Sequence, residues 1–178
     1  MDRARLFAIF EALDGALESG CELEIRGGAA VLALGLEGRT TLDVEVLPSS
    51  QFMDADLRRA CLATGLDFNP SEGKDFAERE FIELVPEETL ILPAVSADRP
   101  YNTVFRGRRL VVRTPPAADL IVGKLKRLQP EDLADISFLV HRYAVTESDL
   151  KEAFDRLPAR WRRDPVIADN LRYVLQDL

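Results

Sequence analysis

Residues 24–47 read EIRGGAAVLALGLEGRTTLDVEVL. The segment CELEIR, residues 21–26, alternates apolar and polar side chains in the manner of a strand and stops at the adjacent Gly27 and Gly28. Ala29 to Leu36 supply a short apolar helix, and TTLDVEVL, residues 40–47, resumes the alternation. Leu42, Val44 and Val46 share one face of that second strand, and Thr41, Asp43 and Glu45 share the other. The pattern predicts a strand, helix, strand unit. It also sets two carboxylates on one face, about 7 Å apart along the backbone, where they repel unless something positive lies between them. A packed core gains nothing from such a pair, whereas hard oxygen ligands suit Mg²⁺ or Mn²⁺ bridged to a phosphate.

The two glycines allow two readings. A Gly-Gly step is a tight turn, and at the start of a helix it also leaves backbone N–H groups open to a phosphate with no Cβ in the way. Arg39, just before the second strand, suits a bidentate phosphate contact or an ion pair with a neighbouring acid.

Working outward, Leu6, Ile9, Phe10, Leu13 and Leu17 recur at helical spacing, which predicts an amphipathic helix over residues 3–19 ended near Gly20. Residues 52–64 read as a helix, EREFIELV and TLILP as strands, and YNTVFRGRRLVVRT as a hairpin turning at Gly107. A mixed sheet follows. FNPSEGKDFAE, residues 68–78, is the segment expected to be most flexible. From Pro115 onward only helical patterns remain: PPAADLIVGKLKRL, PEDLADISFLVHRYA, TESDLKEAFDRL and residues 165–177. The expected organisation is an α/β core over residues 1–115 and a helical part over 116–178 packed on it.

At 178 residues and 47% hydrophobic content the chain can bury a core of its own. No run approaches the length of a membrane span, and the N-terminus lacks the small-residue cleavage site of a signal peptide, so a cytoplasmic protein with no membrane partner is expected. Cys21 and Cys61 have no metal-ligand spacing and read as reduced, partly buried thiols. The net charge is -8, unevenly distributed: residues 1–96 hold 19 acids and 8 bases, while residues 97–116 set Asp98 against Arg99, Arg106, Arg108, Arg109 and Arg113. That basic segment is either a solvated hairpin face or an anion-binding one.

The run Gly27-Gly28, short helix, then Leu42-Asp43-Val44-Glu45-Val46 resembles the signature of the polymerase-β-type nucleotidyltransferase superfamily. It is most similar to the small bacterial members, the minimal and AbiEii-like nucleotidyltransferases, many of them toxins of toxin-antitoxin pairs. In these Arg-x-Thr-x-Asp-x-Asp is typical, and Arg39, Thr41, Asp43 and Glu45 stand in the corresponding places, with glutamate where aspartate is commoner. The likeness extends to DLIVGKLKRLQPEDLADISFLV, where it implies that Lys124 is a phosphate-reaching lysine and that Asp132 and Asp135 belong to an acidic helix. From the residues alone, Lys124 also fits an exposed position of an amphipathic helix, and the two aspartates fit a helix N-terminus.

The resemblance implies transfer of a nucleoside monophosphate from a nucleoside triphosphate to a hydroxyl of RNA or protein, with an antitoxin protein as a further partner. Asp43 and Glu45 would hold Mg²⁺ or Mn²⁺, and Gly27, Gly28, Arg39 and Lys124 would contact the nucleotide. A third catalytic carboxylate is expected on a later strand. Glu83 in EFIELV is the best candidate, although it shares a face with Phe81 and Val85. The rival expectation is a scaffold of the same fold that binds or regulates without catalysis. His141 is the only histidine and lies in a helix, and Gly123-Lys124 lacks the flanking residues of a P-loop.

Overall fold

The computed structural model describes residues 1–70, 79–98 and 100–176. They form two compact units, residues 1–88 with 101–114, and residues 89–100 with 115–178. The FNPSEGKDFAE loop falls largely, and Arg99 entirely, outside the described residues.

The first unit is α/β. Its helices are α1 (Arg3–Ala16), α2 (Gly27–Ala33) and α3 (Asp54–Thr64), and its strands are β1 (Cys21–Arg26), β2 (Asp43–Val46), β3 (Asp67–Phe68), β4 (Phe81–Leu84), β5 (Asn102–Arg106) and β6 (Leu110–Thr114). The strands make one mixed sheet in the order β3-β4-β2-β1-β6-β5. β1 runs antiparallel to β2 and parallel to β6, β4 runs parallel to both β2 and β3, and β5 and β6 form the antiparallel hairpin expected around Gly107. Strand alternation builds the core: Cys21, Leu23 and Ile25 of β1, Val44 and Val46 of β2, Ile82 of β4, and Leu110 and Val112 of β6 are all buried. Leu6, Ile9, Phe10 and Leu13 of α1, with Leu57, Ala60 and Cys61 of α3, supply the helical side.

Two aspartates tie the loops of this unit. The Asp14 carboxylate accepts hydrogen bonds from the amides of Arg108, Arg109 and Leu110 at 2.7–3.0 Å, so it closes the turn of the basic hairpin. Gly107 is required there, because a Cβ would lie 2.3 Å from that carboxylate. Asp56 accepts from the amides of Glu18 and Ser19 and from the Ser19 hydroxyl, and pairs with Arg59. Both carboxyls are held below their usual range. At Asp14 the three amides outweigh burial, and at Asp56 the Ser19 hydroxyl contributes most. Cys21 and Cys61 are free, and burial pushes both thiols up to about 12, which leaves no thiolate at neutral pH.

The second unit is helical: α4 (Ala117–Lys124), α5 (Pro130–Tyr143), α6 (Glu147–Asp155), α7 (Ala159–Arg162) and α8 (Pro165–Gln176). TLILP is not a strand. A 3-10 turn over Glu87–Thr89 leads into irregular chain that belongs to this unit. Its carbonyls are taken by side chains instead of a sheet ladder: Leu90 accepts from the Trp161 indole at 2.7 Å, and Ala94 accepts from Arg156. Pro93 removes one ladder donor as well. No helix of the described residues is long and apolar enough to cross a membrane.

Candidate metal centre

β1 and β2 carry the site. Ile25 faces Val46 and Arg26 faces Glu45 across the antiparallel pair, so burying Ile25 and Val46 turns Arg26 and Glu45 to the opposite face. The Arg26 Nε lies 3.1 Å from Glu45 Oε2, a partly exposed ion pair. Asp43, two residues back on the same face, accepts a hydrogen bond from the Thr41 hydroxyl. The strand pattern thus presents two carboxylates on the non-core face, each oriented by a neighbour.

Glu83 joins them. β2 and β4 are parallel with Asp43 opposite Phe81, Val44 opposite Ile82 and Glu45 opposite Glu83. Ile82 and Val44 are both 1% exposed and face the core. The face that Glu83 shares with Phe81 is therefore the face of Asp43 and Glu45, and the side-chain pattern that argued against Glu83 argues for it once the register is known. One carboxylate oxygen from each of Asp43, Glu45 and Glu83 lies within 4.8 Å of the other two. None of the three side chains is fully buried. The Glu83 carboxyl is raised above its usual range, first by burial, then by the charges of Glu45 and Asp43, with Arg26 opposing. The cluster thus sets three carboxylates beside the Arg26 guanidinium.

Both glycines are pressed against this cluster. Gly27 opens α2 with φ +66°, and a Cβ on it would lie 2.1 Å from Glu45 Oε2. A Cβ on Gly28 would lie 2.9 Å from Arg39 Nη2 and 3.1 Å from Thr41 Oγ1. The missing side chains make room for Glu45, Arg39 and Thr41, a close packing that neither the tight-turn nor the phosphate reading requires. Gly27, Gly28, Arg39, Asp43, Glu45 and Glu83 are thereby gathered in one place, with Arg26 and Thr41 added.

Lys124 belongs to the helical unit. It is 9% exposed, and its Nζ lies 2.7 Å from Asp135 Oδ2 and 3.3 Å from Asp132 Oδ1. Arg127 grips Asp132 with two hydrogen bonds of 2.8 and 2.9 Å. Asp132 also accepts from the Gln129 amide at 3.0 Å, closing a capping box on α5. Burial pushes its carboxyl up, but Arg127, Lys124 and the Gln129 amide together hold it down at about 2. Lys124, Asp132 and Asp135 thus form a buried ion cluster that fastens α4 to α5.

Sequence reading missed Arg26. The signal was the pairing of β1 with β2, which sets Arg26 opposite Glu45 and is available only once the strands are known to be antiparallel. Comparison of the chain with family models, with curated proteins and with solved structures finds no match.

Proposed function

We propose that the protein is a divalent-metal-dependent nucleotidyltransferase that moves a nucleoside monophosphate from a nucleoside triphosphate to a hydroxyl of RNA or protein. The observation that carries this reading is the convergence of Asp43, Glu45 and Glu83, from two neighbouring parallel strands, to within 4.8 Å. The donor set fits Mg²⁺ or Mn²⁺: all ligands are carboxylate oxygens, solvent reaches them, and the strand register brings three of them together. Asp43 and Glu45 would hold the divalent ion, which when bound would neutralise charge on the triphosphate and acidify the attacking hydroxyl.

The residues of the chain do the rest. Thr41 orients Asp43, and Arg26 and the bare Cα of Gly27 fix the position of Glu45. Arg39, packed over Gly28, offers a guanidinium to the phosphates. In the transfer, the acceptor oxygen bonds to the α-phosphorus while the bond to the bridging oxygen breaks. Pyrophosphate leaves with that electron pair. The acceptor proton passes to a carboxylate oxygen of Glu83, the third carboxylate of the cluster.

One observation favours a second reading, a scaffold that binds nucleotide without transferring it: Glu45 already has a cation in Arg26. Incubation with each α-labelled nucleoside triphosphate, Mg²⁺ and either total RNA or a cell lysate separates the two. Label transferred to RNA or protein by the parent, and not by Asp43→Asn, supports the enzyme. Nucleotide binding without transfer to either pool supports the scaffold.

A further inference from the structure

Ion pairing distributes the charge of the helical unit unevenly. Asp119 pairs with Arg156, Asp164 with Lys126, Glu147 with Lys151, and Asp169 with Arg172, while Asp132 and Asp135 take Lys124 and Arg127. Among the described residues, Arg162 and Arg163 have no carboxylate within ion-pair distance, and both are exposed. They line an open recess of about 400 Å³ with Phe154, Ala159 and Asp155. Next to them Trp161 is fastened by its indole hydrogen bond to the Leu90 carbonyl, and the Arg160 guanidinium lies 5.3 Å from the Trp161 ring centre. The turn is held in place while Arg162 and Arg163 stay exposed to solvent.

We propose that α7 with Arg163 is a docking point for single-stranded nucleic acid, whose phosphates bind Arg162 and Arg163. Two adjacent exposed guanidiniums, with no ion-pair partner among the described residues, suit successive phosphates of a flexible strand. The recess is open and also carries the Asp155 carboxylate, which repels a single phosphate seated within it and leaves the two guanidiniums to a chain laid across its rim. The inference gives the acceptor class for the proposed transfer and rests on that reading only for its purpose, since the binding needs neither metal nor nucleotide.

The test uses the full chain and a labelled 12-nucleotide single-stranded RNA in EDTA, with anisotropy and Trp161 emission read from 50 to 200 mM salt. Trp161 is the only tryptophan, so quenching on binding places the strand beside α7. At low salt, Arg162→Ala/Arg163→Ala should weaken binding about tenfold and flatten the log-log salt slope by about 1.4, from two lost phosphate contacts. Asp155→Asn should strengthen binding about twofold by removing the carboxylate from the recess. Thermal melts of both variants should match the parent, because the substituted side chains are exposed. Absent RNA binding, or a double variant with unchanged affinity and slope, overturns the inference. So does equal binding of a polyglutamate chain of matched charge, which would make the patch a docking point for acidic protein. If RNA binds as expected but no metal or triphosphate does, the docking point stands and the transfer reading falls.

Discussion

Glu45 is the residue on which the site turns. Its side chain lies directly over Gly27 and reaches Arg26. Gly27→Ala should therefore destabilise the first unit by about 1–3 kcal/mol, from a positive φ and a Cβ inside the Glu45 carboxylate, measured by urea unfolding. An unchanged midpoint would mean that Glu45 swings away freely. Asp43→Asn tests the neighbouring position. An asparagine still offers Thr41 an acceptor oxygen, and it removes one of three like charges, so the melting temperature should hold or rise slightly while transfer is lost. A large fall in melting temperature would identify Asp43 as a structural ion-pair partner.

At the scale of elements, alternation and periodicity make most of the fold legible. Leu6, Ile9, Phe10 and Leu13 mark α1, and the Val44/Val46 against Asp43/Glu45 pattern marks both β2 and its polar face. What remained hidden depends on contacts distant in sequence. The agreement of Glu83 with Asp43 and Glu45 follows from a parallel register between strands separated by α3 and β3, which no local pattern encodes. TLILP is apolar enough for a strand, but Trp161, about 70 residues later, donates to its Leu90 carbonyl, and Arg156 takes the carbonyl of Ala94 just after it. Nor does the spacing of Lys124 show that its ammonium is buried between Asp132 and Asp135.

That ion cluster makes two predictions for the helical elements. Lys124→Met leaves two buried carboxylates short of a cation and should destabilise the helical unit by about 3–5 kcal/mol. Trp161 emission, which reports on this unit, should show the earlier unfolding. Full stability in this variant would mean that Arg127 alone satisfies Asp132. The second concerns acid. Asp132 titrates at about 2 in the folded state, below its unfolded value of about 3.9, so its stabilisation is complete above the unfolded value and is lost as pH falls toward 2. Trp161-monitored melts from pH 6 to pH 2 should show a loss that begins near pH 4. Asp132→Asn should be less stable at neutral pH and lose less stability on acidification.

For the whole molecule, an acidic chain of net charge -8 carries its proposed chemistry on a patch that is itself acidic. A triphosphate, with about four negative charges, is repelled by Asp43, Glu45 and Glu83 unless a divalent cation lies between them. Arg26 and Arg39 offer two positive charges against that total, too few to bind the nucleotide without metal. Calorimetric titration of each of the four ribonucleoside triphosphates into the protein, in 5 mM Mg²⁺ and again in EDTA, tests this most directly. The predicted result is binding of at least one triphosphate in Mg²⁺ that weakens more than about tenfold in EDTA, and the same loss in Mg²⁺ when Glu83→Gln removes the third carboxylate. Equal affinity in Mg²⁺ and EDTA, or no binding of any triphosphate in either, would contradict it.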